Sequence, residues 1–112
     1  MANVFDKIAR RACMPVAVGG TMVYLKEMTY ADAKRVRGVE GEDLRSGLAF
    51  ALSIVDESGA TAFPKIEGEL DAQLAFRVNE AMDELPALAV KVISDALEKL
   101  MSQPSPETLA KN

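Results

Sequence analysis

The apolar residues fall at helical spacing first, then alternate, then return to helical spacing for the rest of the chain. Residues 3–13, NVFDKIARRAC, place Val4, Phe5, Ile8, Ala9 and Ala12 on one side of a short helix. A helix this short needs a surface to dock on. Residues 15–28 then alternate around Gly19-Gly20, a pair suited to a two-residue hairpin loop with positive φ. With that loop Val18 faces Thr21, Val16 faces Val23 and Met14 faces Leu25, so one side of the ribbon is largely aliphatic. Ala17, Met22 and Tyr24 take the other side. A lone hairpin is unstable in water, so helices are expected to pack on it.

Thr29-Tyr30-Ala31-Asp32 is a capping-box sequence and opens a helix over 30–37 that stops at Gly38. A second helix is expected over 42–54, its stripe formed by Leu44, Leu48, Ala51 and Leu52 and continued by Val55. Phe50 and Ile54 lie off that stripe, while Gly47, Ala49 and Ala51 keep parts of the surface thin, so this helix should be central and buried. Asp56-Glu57-Ser58-Gly59 breaks it with type I turn chemistry, Asp56 leading and Gly59 in the left-handed position. The break turns the chain, a small second hairpin being one form it can take. It returns Phe63 to the core as a plug before Pro64. A long helix over 67–85 follows, with Leu70, Leu74, Val78, Met82 and Leu85 as its stripe. Pro86 suits the first turn of a last helix over 86–101, expected to pair antiparallel with its predecessor. Residues 103–112 are rich in Pro and Ser and are expected to be disordered. The pattern predicts an α+β, mainly α fold. A small N-terminal hairpin packs on four to five helices in a single globular domain over 1–102.

Composition narrows the function. The 112 residues make one ordinary domain, large enough for a modest core without staples. Aromatics are only 5% and Trp is absent, so that core must be aliphatic. The lone Cys13 allows no intrachain disulfide and fits a reducing cytoplasm. It reads as a small apolar residue at a helix end, since no His exists to activate it. No run approaches a membrane span, and Asp6 and Lys7 stand where a signal peptide would be apolar.

The net charge of −4 is uneven: residues 1–37 hold seven basic against three acidic side chains, and residues 38–112 six against fourteen. That asymmetry suits head-to-tail contact between copies, or a charged protein partner. The basic residues are too few and scattered for a nucleic-acid module. With no His and one Cys, no zinc ligand set exists. Gly38 to Gly41 lacks the lysine of a phosphate loop, and the turn at 56–59 lacks the ligand pattern of a calcium loop. The acidic groups Glu67, Glu69, Asp71 and Asp83, Glu84 read as solvated helix ends and polar faces rather than catalytic pairs. No enzyme, metal or cofactor is expected.

Two apolar features exceed what a small core needs. The last helix keeps apolar residues across about half its circumference, from Val92 through Ala96, Ala89, Leu100 and Ile93 to Leu97, with Val90 and Met101 at one edge. Phe76 stands nearly opposite Leu74. Phe76, Val90, Leu97 and Met101 are therefore the candidate partner-binding residues. Aspartate at Phe76, Val90 or Leu97 is expected to abolish partner capture and leave the fold intact.

The segment Val55-Asp56-Glu57-Ser58-Gly59-Ala60-Thr61-Ala62-Phe63, after an apolar helix and before two more, resembles the tail assembly chaperones of long-tailed phages and prophages. Val23 to Thr29 resembles that family's strand leading into a capped helix, and Ala110-Lys111-Asn112 resembles its C-terminal end. The similarity runs from about residue 15 to the end at the level of pattern. It implies a non-enzymatic protein of the host cytoplasm, absent from the mature virion, that binds the tape measure protein and assists tail tube assembly. A tail or connector protein retained in the virion and a small cytoplasmic adaptor are the alternatives.

Overall fold

The computed structural model describes residues 13–102, so the expected helix over 3–13 and the tail over 103–112 lie outside the described residues, except for Cys13. In chain order the elements are β1 (Cys13–Val18), β2 (Thr21–Lys26), α1 (Tyr30–Arg37), α2 (Glu42–Ser53), β3 (Ile54–Val55), α3 (Asp71–Asp83) and α4 (Ala87–Ser102). The fold is α+β and mainly α. Cys13 ends no helix; it is the first residue of β1 and exposed.

The hairpin has the expected register, Met14 opposite Leu25, Val16 opposite Val23 and Val18 opposite Thr21, around Gly19 and Gly20 at φ +56° and +83°. Its strands span 13–18 and 21–26 rather than the whole of 15–28. Leu25 is fully buried, and Met14, Val16, Val18 and Val23 pack against the core from the same face. The capping box forms as the sequence predicts. The Asp32 N–H donates to the Thr29 hydroxyl at 3.1 Å, and the Thr29 N–H donates to the Asp32 carboxylate at 3.2 Å.

Four further features differ from the sequence pattern. First, the central helix ends at Ser53, and Ile54–Val55 becomes a third strand, with Leu25 opposite Ile54 and Tyr24 opposite Val55. Two β-branched residues at a helix end gain more from an open sheet edge than from another turn of helix. The chain then does form a small second hairpin, Val55 bridging to Thr61.

Second, the long helix starts at Asp71, not 67, and ends at Asp83. Gly68 has φ +80°, and the Glu69 N–H closes a turn onto the Ile66 carbonyl at 2.9 Å. Leu70 and Leu85, expected on the buried stripe, are exposed because each lies outside the helix that carries it. Leu74, Val78 and Met82 are buried as expected.

Third, α3 and α4 are not the close pair. α3 packs against α2 in the opposite direction, Asn79 meeting Asp43 and Ala75 meeting Gly47, while α4 lies on β1. Leu74, Ala75, Val78 and Met82 already spend the apolar stripe of α3 on α2 and the core. Fourth, Phe63 is only half-buried, packed against the core edge rather than plugging its centre.

The 56–59 turn is built as predicted. The Gly59 N–H donates to the Asp56 carbonyl at 3.0 Å, and Gly59 has φ +90°. The Asp56 carboxylate accepts from the Ser58 hydroxyl at 2.6 Å, the Ser58 N–H at 2.8 Å and the Ala60 N–H at 3.1 Å. The Ser58 hydroxyl, aided by these amides, holds the Asp56 carboxyl below the usual carboxylate range. A Cβ at Gly59 would meet only the Lys26 ammonium at 3.7 Å, so the restriction there is conformational. Gly59→Val should cost about 1–2 kcal/mol in denaturant melts. An unchanged midpoint would show that the turn adapts.

Two ion pairs brace the helices. Arg35 on α1 forks onto Asp71 at the start of α3 at 2.8 and 3.2 Å, and Lys65 adds a contact at 3.1 Å. Arg77 forks onto Glu69 at 3.0 Å twice and donates to the Pro64 carbonyl at 2.9 Å, pinning the loop before α3. The Arg35 fork holds Asp71 down to about 2. A carboxyl with a depressed folded pKa stabilises fully above its ordinary value near 3.9 and loses that contribution as pH falls towards 2. Allowing for the partly exposed guanidinium, Asp71→Asn should cost about 1 kcal/mol at neutral pH. The gap from wild type should close in melts near pH 2. A gap that persists undiminished in acid would mean the pair contributes little.

Candidate partner-binding surface

The surface is built around α2. Gly47 removes any side chain where α2 crosses α3, so the helices approach closely, and the Asn79 amide donates to the Asp43 carbonyl at 2.8 Å. On the outer side of this crossing lies a groove of about 650 Å³ lined by Asp43, Leu44, Ser46, Phe76, Asn79, Glu80 and Asp83. On the other flank, α2 and α4 leave a groove of about 430 Å³ lined by Ala49, Phe50, Leu97 and Met101, with Ser46, Ser94, Glu98 and Ser102 as its polar rim. Ser46 lines both, so the two grooves are neighbours on either side of that residue of α2.

Of the four sequence candidates, Phe76 and Met101 are exposed at 60% and 52% and each lines one of the two grooves. Leu97 is not a free contact residue: it is 6% exposed and forms the groove floor as part of the core. Val90 is part-buried and packs against the core. The half-circumference of α4 is therefore mostly used internally. Ile93, Leu97 and Leu100 are buried, and Val90 and Ala96 pack against them. Sequence reasoning left Phe50 and Leu44 out of the candidate set. For Phe50 the signal was present, since it lies off the buried stripe of α2 as Phe76 lies off that of α3; Leu44 belongs to the stripe itself and carried no such signal. Asp56, Gly59 and Phe63 lie outside both grooves.

The electrostatics of the surface are one-sided. Asp43, Glu80, Asp83 and Glu98 line the two grooves, and no Lys or Arg does. Among the described residues none of these four carboxylates has an ion-pair partner. The basic side chains gather elsewhere: Lys34 and Arg37 lie over the exposed Tyr30 ring at 5.1 and 5.6 Å, and Arg35 is held by Asp71.

The Ser53 hydroxyl, the one buried side-chain polar atom without a partner among the described residues, is fully enclosed and lines neither groove. Among the described residues no cluster of three or more potential ligands is placed to hold a metal ion. No helix among them is long and apolar enough to cross a membrane. Comparison of the chain with protein-family models, curated proteins and solved structures returns no match.

Proposed function

We propose that this chain is a non-enzymatic phage tail assembly chaperone that binds the tape measure protein during tail assembly in the host cytoplasm and helps recruit tail tube subunits. The observation that carries the reading is the pair of neighbouring grooves on α2: Phe76 exposes a large apolar side chain in one, and Met101 does so in the other beside Ala49, Phe50 and Leu97. Exposed aromatic and Met side chains around an apolar groove are how small domains capture amphipathic helices. The resemblance of residues 55–63 to the family's turn supplies the identity of the partner. The braced core suits the role, since a binding face held by rigid helices loses little entropy when occupied.

The test is co-expression with a candidate tape measure protein, followed by pull-down and size-exclusion chromatography. Soluble co-elution with wild type, reduced at least about tenfold by Phe76→Asp, is the expected result. A tape measure protein that neither co-elutes nor stays soluble with wild type would overturn the assignment. Recovery of the chain in purified virions would favour a structural tail component instead.

A further inference from the structure

We propose that the two neighbouring grooves of α2 select a cationic amphipathic helix, a segment of a partner protein whose apolar stripe is flanked by Lys or Arg. The inference rests on the reading of this surface as a partner-binding face and adds the chemistry of its occupant. The apolar part is set by Phe76, Phe50 and Met101, which offer anchor contacts across neighbouring helices. The polar part is set by Asp43, Glu80 and Asp83 around Phe76 and by Glu98 on the far rim, all carboxylates without ion-pair partners among the described residues. Like charges gathered around an apolar groove repel one another when it is empty. They are relieved by a ligand carrying the opposite charge at its flanks, and penalise an anionic one. Rim charges of this kind govern partner choice and association rate more than total affinity. The selection should therefore be strongest at low salt, where the screening length is longest.

The probes are two synthetic helical peptides of about 18 residues, long enough for five turns. They share one leucine stripe, one flanked by lysines and the other by glutamates, and binding to the full chain is read by fluorescence anisotropy. The cationic peptide should bind at least about tenfold tighter near 20 mM salt, with the gap narrowing towards 0.5 M. Phe76→Ala should weaken both peptides, and the pair Glu80→Lys with Asp83→Lys should reverse the preference. Glu57→Lys, which lines neither groove, serves as the control for bulk charge. Equal affinities would overturn the proposal. So would an effect of Glu57→Lys as large as that of the groove variants, which would reduce the selection to net charge. So would a dimer of the chain alone that Phe76→Ala dissolves, since the occupant would then be a second copy. If the peptides behave as expected but the tape measure protein does not co-elute, the chaperone reading falls and this inference stands. If the tape measure protein co-elutes and the peptides show no preference, the reverse holds.

Discussion

Replacing Gly47 with valine should remove about 3 kcal/mol of stability, and alanine about half as much. An ideal Cβ at Gly47 would sit 2.5 Å from the Ala75 carbonyl oxygen and 2.7 Å from the Asn79 side-chain oxygen. The nearest obstacle is backbone, which cannot turn aside as a flexible side chain would. Two effects oppose each other. Alanine is the better helix former by about 1 kcal/mol. The overlap forces α2 and α3 apart along their whole contact, and overpacking of this kind costs about 1–3 kcal/mol. Separation would also break the Asn79 to Asp43 hydrogen bond and open the core around Leu48, Ala51 and Val78. Clash wins because the contact lies mid-helix, where neither element has a free end to give. Denaturant melts of both variants check it. A Gly47→Ala protein as stable as wild type would mean that the two helices slide apart freely.

This crossing also shows how far the sequence could be read. Thin positions along α2 were visible as Gly47, Ala49 and Ala51, but spacing alone does not say which neighbour comes close. The short loop at Pro86 suggested that α3 should pair with α4, yet the close approach at Gly47 gives α3 to α2. Loop length favours adjacency, whereas a missing side chain decides contact. The register of the hairpin was legible, though not the ends of its strands, because a two-glycine loop fixes register and the aliphatic face fixes its side. The third strand was not: Val55 continues the helical stripe and Ile54 follows Phe50 at helical spacing, and only tertiary pairing with Tyr24 and Leu25 makes them extended. The start of α3 was misplaced for a related reason. Leu70 looks like the first residue of an amphipathic stripe, but Gly68 turns the chain just before it. At the candidate site, Phe76 was legible because it faces away from its own stripe. The acidity of the grooves was not, because Asp43, Glu80 and Glu98 are far apart in sequence and come to the grooves beside α2 only in the fold.

Leu97→Asp should unfold the protein, while Met101→Asp should leave it folded and impair partner capture. The two residues lie four apart on α4 and line the same groove, and their periodicity made them equivalent candidates. Burial separates them. Leu97 is 6% exposed and belongs to the core with Ile93 and Leu100, whereas Met101 is 52% exposed at the groove edge. A carboxylate at Leu97 would lose the packing of a buried leucine, worth about 2–5 kcal/mol, and bear a desolvation cost besides. Together these approach the whole stability expected of one small domain, about 5–15 kcal/mol. At Met101 the new charge stays in water, and a surface substitution of this kind shifts stability by about 0.5 kcal/mol or less. It does place a carboxylate beside Glu98 on an apolar contact, which should weaken an amphipathic partner at least about tenfold. Thermal melts by far-UV circular dichroism, run beside the pull-down, distinguish the two effects. A folded Leu97→Asp protein would show that α4 lifts from the core at little cost, and Met101→Asp with unchanged capture would take the α4 edge out of the binding surface and leave Phe76 as its anchor.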